Sequence, residues 1–183
     1  AQVSGTLVDG LALGQPLPGR AARHAGGDRA GIGTLEQHRQ PLTVGQNVAY
    51  GLEEHFRESM TASDVRDRVA WALGLVGLPG IEEMRPADLS GGMRKRVGIA
   101  RAIALRPEVV LYDEPTTGLD PINTARVNHL ISGLQEKLSI TSVVITHDMK
   151  SAFAVGDEIA MVHGGRVIAH APADQFRAIR DPR

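Results

Sequence analysis

Two short runs of β-branched and apolar residues, Val109-Val-Leu-Tyr112 and Ser142-Val-Val-Ile-Thr146, limit what this chain can fold into. Between them Val127, Leu130, Ile131, Leu134 and Leu138 recur at helical spacing. Strand, helix and strand joined by short connections imply a parallel sheet in an α/β domain. Val109–Tyr112 lies between Pro107 and a charged pair, a pattern that predicts a strand covered on both faces. Ser142–Thr146 is expected to be a second buried strand.

The rest of the chain falls into zones. Residues 1–46 are irregular: Val3–Gly10 reads as a short strand, and the stretch from Gln15 to Arg29, with Pro16, Pro18, Gly19, Gly26 and Gly27, reads as loop. From Asn47 to Asp88 the pattern is helical. Thr61-Ala-Ser-Asp64 resembles a capping box, Val65, Val69, Ala72 and Val76 follow on one face, and Gly77, Pro79 and Gly80 end the helix. Met93, Val97, Ala100 and Ala104 stripe another helix, which Pro107 is expected to end. Ile159–Val162, Gly164-Gly165 and Val167–Ala169 suggest a closing hairpin.

Composition narrows the function classes. The 183 residues are 42% apolar and 22% charged, as expected of an ordinary globular chain with one core. A net charge near −1 gives no global reason to expect nucleic acid. The absence of cysteine excludes disulfides, thiolate catalysis and Cys-ligated zinc. No apolar run approaches the roughly 18–20 residues a membrane-spanning helix needs.

The chemistry gathers at strand ends. A strand that closes on Asp113-Glu114 delivers two carboxylates to the carboxyl edge of a parallel sheet, where α/β proteins bind ligands. Side-chain alternation would send them in different directions. Taken alone, the pair is also compatible with two solvated acids. Asp120 precedes the helix of Pro121 onward and is placed to cap it. Ser90-Gly91-Gly92 opens a helix, and free N–H groups with the positive dipole end make such a start an anion site. His147 follows the second buried strand.

In this order, Leu89-Ser-Gly-Gly-Met93, Val109–Glu114, Pro115-Thr-Thr-Gly-Leu-Asp120-Pro121 and Thr146-His147-Asp148 resemble the signature, Walker B, D-loop and H-loop motifs of ATP-binding-cassette (ABC) ATPases. The resemblance implies a P-loop NTPase-like cassette with a mostly parallel sheet and a helical subdomain. It divides the chain into a divergent part (1–46), the helical subdomain (47–88) and the signature-to-H-loop core (89–183). It implies Asp113 in the Mg²⁺ shell, Glu114 and His147 in catalysis, and Ser90, Gly91, Gly92 and Asp120 at ATP. In the family the signature motif closes over ATP held by the phosphate loop of a partner protomer. Gln37 is the best Q-loop candidate, with Gln40 and Gln46 as weaker ones.

One motif is absent. No G-x-x-x-x-G-K-[ST] phosphate loop occurs anywhere in the 183 residues. Ser4–Gly10 looks like the strand that follows the phosphate-loop helix. The chain is therefore expected to be the later part of a cassette lacking the Walker A strand, loop and helix, and marginal or aggregation-prone alone.

Met93 in place of the commoner Gln, with Tyr112–Ile122 and Thr141–Met149, is similar to the ATPase subunits of Mla-type phospholipid transporters. That likeness implies a second ATPase subunit, an integral permease and an MCE-type lipid-binding protein as partners, no nucleic acid, and a cytoplasmic location on the inner membrane through the permease. Two other readings stay open: a truncated, catalytically incompetent cassette, and a non-transport ABC ATPase.

Overall fold

A computed structural model describes residues 5–8, 42–56 and 58–179, the first group by its backbone. The expected loop of Gln15–Arg29 and the candidates Gln37 and Gln40 lie outside the described residues.

The described strands are β1 (Gly5–Val8), β2 (Val109–Asp113), β3 (Thr141–Ile145), β4 (Glu158–His163) and β5 (Arg166–Pro172). They form one sheet in the order β2-β3-β1-β4-β5. Neighbours pair in parallel except β4 and β5, the expected antiparallel hairpin, which turns at Gly164 and Gly165, both at positive φ. α4 (Pro121–Leu138) carries the chain from β2 to adjacent β3, and α5 (Met149–Val155) carries it from β3 to β4. That second crossover leaves a place between β3 and β4, and β1 fills it, with Leu7 opposite Ile145 on one side and Ala160 on the other.

Three helices form the opposite part of the described fold. α1 (Val44–Phe56) starts with a capping box the sequence reading missed: the Thr43 hydroxyl accepts from Gln46 N at 3.2 Å, and Gln46 Oε1 accepts from Thr43 N at 2.8 Å. α2 (Ala62–Leu75) begins with the expected box, Thr61 and Asp64 exchanging bonds of 2.8 and 3.2 Å. It ends where Gly77 takes a φ of 68° that a side chain would resist. α3 (Gly91–Ile103) stops short of Pro107, because Arg106 already sits at φ 51°. A short α6 (Ala173–Phe176) follows β5.

One apolar cluster joins the two halves. Val48 and Leu52 of α1, Ala72 and Leu73 of α2, Ile103 of α3, Ile131 and Leu134 of α4 and Val144 of β3 are all at most 1% exposed and belong to it. Each such Val, Leu or Ile side chain contributes about 1.5–3 kcal/mol by leaving water.

The two-faced burial expected of β2 is not what the strand shows. Val110 and Tyr112 are 5% exposed, but Val109 is 50% and Leu111 64% exposed. β3 likewise alternates, with Ser142 and Val144 buried and Thr141, Val143 and Ile145 half-buried. On one face Val110, Tyr112 and Val144 join the apolar cluster shared with α3 and α4, and on the other Val109 and Leu111 stand exposed among the described residues. An apolar run four residues long fits either arrangement, because its composition does not encode how many layers pack on it.

Candidate functional site

The site is built where β2 and β3 end side by side, Asp113 opposite Ile145. Asp113, the last residue of β2, is exposed on the open face of the sheet. Glu114 is turned elsewhere, though not by strand alternation: it lies beyond β2 at φ 48°, a left-handed conformation rare for a residue with a long side chain. Three bonds fix that backbone: Glu114 N donates to Ile145 O (2.9 Å), Lys95 Nζ donates to Glu114 O (3.1 Å), and Thr117 N donates to the same carbonyl (3.4 Å).

The Glu114 carboxylate is held just as closely. Oε2 accepts from the Thr117 hydroxyl at 2.6 Å, and Oε1 accepts from His147 N at 3.1 Å and meets His147 Nδ1 at 2.8 Å. An ionised carboxylate only accepts, so Nδ1 carries the proton. Partial burial pushes the Glu114 carboxyl up, but the bonds from Thr117 and His147 and the charge of His147 outweigh it and leave it below its ordinary range. Glu114 is therefore ionised at neutral pH. His147 itself is exposed at the start of the turn into α5.

Ser90 caps α3, its hydroxyl accepting from Met93 N at 3.2 Å. Gly91 and Gly92 N–H, in the first turn, have no intrahelical acceptor. Gly92 has a packing reason as well: a Cβ there would meet Asn123 Oδ1 at 3.0 Å. Asn123 is held in turn by Asp120, which caps α4 by accepting from Ile122 N and Asn123 N, both at 3.0 Å. Those bonds, the backbone one from Asn123 foremost, hold the Asp120 carboxyl below its usual range. The basic residues after the signature glycines serve the fold: Arg94 donates to Leu89 O, Lys95 to Glu114 O and Arg96 to Val76 O.

Behind the Glu114–His147 pair lies a buried polar knot that no sequence signal singled out. Ser151 Oγ donates to Asp148 Oδ2 at 2.7 Å, accepts from Asn128 Nδ2 at 2.9 Å, and lies 3.4 Å from Thr116 Oγ1. The Ser151 bond, then burial opposing it, then the Lys150 N–H, leave Asp148 below the ordinary carboxylate range. Asn128 Oδ1 is buried with no partner among the described residues, which would cost about 1–3 kcal/mol. Asn128 escaped notice because it sits beside Val127 on a helix read only for its apolar stripe.

The sequence candidates thus fall into two groups. Asp113, Glu114 and His147 meet at the strand ends, and Ser90, Gly91, Gly92 and Asp120 meet where α3 packs on the start of α4. Gln46 is occupied in the cap of α1. For a metal, the described residues hold no group of three or more His, Asp or Glu side chains able to cage one. Mg²⁺ needs only one or two carboxylates when phosphate and water complete its shell, so exposed Asp113 fits as a single ligand and nothing more. For a triphosphate, the free N–H groups of α3 fit one side, and the sequence holds no phosphate loop for the other.

Asp113, Glu114 and His147 thus stand at the carboxyl ends of adjacent parallel strands, the edge where α/β proteins bind ligands. The family profile for ABC transporters matches residues 4–117, and the chain belongs to this family. It is 43% identical over 169 residues to "Methionine import ATP-binding protein MetN 2" of Pectobacterium atrosepticum, covering 91% of this chain and 46% of that protein. It is 38% identical over 142 residues to "Intermembrane phospholipid transport system ATP-binding protein MlaF" of Escherichia coli K12, covering 78% of this chain and 52% of that protein. The fold resembles a dimeric post-hydrolysis state of the ATP-binding cassette MJ0796 bound to ADP and Pi, with TM-score 0.63 and 33% identity over 72% of this chain and 57% of that one. The chain spans about half the length of the curated relatives it matches. No helix among the described residues is long and apolar enough to cross a membrane.

Proposed function

We propose that this chain is the ATP-hydrolysing subunit of an ABC transporter, and that its own residues supply the water-directing and partner-facing parts of the ATP site. The observation that carries this reading is the Glu114 carboxylate, ionised and held on both oxygens by Thr117 and His147 at the end of β2. A carboxylate so held is a weak base but a good hydrogen-bond acceptor, suited to orienting an attacking water rather than storing its proton. His147 keeps Glu114 in place through Nδ1, and when the ring is doubly protonated its Nε2–H becomes a donor toward developing phosphate charge. Asp113 would serve as one ligand of Mg²⁺, which neutralises phosphate charge when bound. Ser90, Gly91 and Gly92 would close over a nucleotide presented by a second subunit.

The sequence as it stands has no lysine-bearing phosphate loop, the main cradle of a triphosphate. The chain alone should therefore turn over no ATP, while a partner carrying a phosphate loop would gain activity from it. Mg²⁺-dependent phosphate release, measured for the chain alone and mixed with an intact cassette subunit, tests this. Stimulation of the mixture that Ser90→Arg removes supports the proposal; an identical rate without the chain overturns it.

The cargo reading is phospholipid, on the strength of Met93, the Tyr112–Ile122 and Thr141–Met149 segments and the likeness to MlaF. A relative named for methionine import matches over more of the chain, so cargo needs its own test. Reconstitution with a permease and an MCE-type protein should give ATP turnover stimulated by phospholipid vesicles; stimulation by methionine instead would replace this cargo.

A further inference from the structure

The polar knot behind the site has only one consistent set of hydrogen directions. Asp148, held below the usual carboxylate range, is ionised and only accepts, so the one Ser151 proton points at it. One Ser151 lone pair then accepts from Asn128 Nδ2 at 2.9 Å, and the Thr116 hydroxyl, 3.4 Å away, is left as a weak donor to the other. This fixes the Asn128 amide the way it stands and leaves Oδ1 as the orphan. Ser151 is 1%, Thr116 6% and Asn128 7% exposed, while Asp148 is half-buried at the edge of the knot.

The connections matter more than the burial. Thr116 lies two residues after Glu114, and Asp148 lies next to His147. A single hydroxyl on α5 therefore ties together the turn that carries Glu114, the turn that carries His147, and α4. An orphaned buried acceptor works against stability, so stability alone is a poor reason for a polar knot here.

We infer that Ser151, with Asn128 and Thr116, is a positioning centre that sets the separation and orientation of the Glu114–His147 pair. The inference rests on the proposed roles of Glu114 and His147 for its meaning, although the geometry it concerns exists without ATP. Ser151 touches neither residue of the pair and acts through the turns on either side of it.

The test is the ring ¹⁵N spectrum of His147 in the histidine-labelled chain, at a pH where the ring is neutral. A proton fixed on Nδ1 by Glu114 gives two well-separated nitrogen signals. Ser151→Ala should bring the two signals together, narrowing their separation roughly twofold as the tautomers mix. Ser151→Thr, which keeps the hydroxyl, should restore it. Thr116→Val removes one donor with little change of shape and should narrow the separation less. Leu134→Ala, a core truncation elsewhere on α4, should lower stability and leave the His147 signals unchanged.

Unchanged signals in Ser151→Ala would overturn the inference. If that variant does not fold, unchanged signals in Thr116→Val would do the same. Failure of ATP turnover has no bearing on this readout, so the two proposals can fail separately.

Discussion

The two faces of β2 are made of the same kind of residue and live in different solvents. Val110 and Tyr112 belong to the core cluster that includes residues of α3 and α4, at 5% exposure, whereas Val109 and Leu111 stand 50% and 64% exposed on the other side. Parallel strands normally carry a layer on each face, so an uncovered apolar face marks where the described fold lacks a packing layer. The comparison separates what holds this chain together from what it leaves unsatisfied.

The largest effect should come from the covered side. Leu134→Ala empties a site that is 1% exposed and should cost about 2–5 kcal/mol, read as a drop in the urea midpoint. A loss below about 1 kcal/mol would mean that the covered side is loosely packed too. Thr61→Ala removes the hydroxyl that caps α2 and should cost about 1 kcal/mol by the same melt.

Acid should act on the site side as well. Asp148 has a depressed folded pKa, so its contribution to stability is present above its unfolded value of about 3.9 and is lost as pH falls through the lower folded value. Asp148→Asn should therefore be less stable than the parent near pH 7 and converge with it below the ordinary carboxylate range. A constant difference across that window would remove the assignment.

The smallest effect belongs to the open face. Leu111→Ser should change stability by less than about 0.5 kcal/mol and should reduce self-association by light scattering, since it removes exposed apolar surface beside an edge strand. A loss as large as that of Leu134→Ala would show that this face is covered in solution.

What could be read from the sequence divides along similar physical lines. Features written in local spacing were legible: the Thr61–Asp64 box, the stripe of α4, the β4–β5 hairpin, and the order of the signature, Asp113-Glu114, Asp120 and His147. Features set by the third dimension were not. The run Val109–Tyr112 identified a strand but not the number of layers on it. Glu114 was expected to diverge from Asp113 by alternation, yet a left-handed backbone held by Ile145 O and Lys95 does the turning, and no residue type announces that. Gln46 also serves a local cap with Thr43, a pairing that the reading of it as a Q-loop candidate did not include. Asn128 and Ser151 come together from different helices, so no spacing along the chain could have paired them.

The central claim is that these residues provide the water-directing and partner-facing parts of an ATP site, and that the 183 residues do not contain the part that grips the triphosphate. Mg²⁺-dependent phosphate release by the pure chain measures this most directly. The account predicts a rate no higher than buffer, unchanged by Glu114→Gln. Measurable hydrolysis that Glu114→Gln abolishes would contradict it and require a phosphate-binding element that the sequence motifs do not reveal.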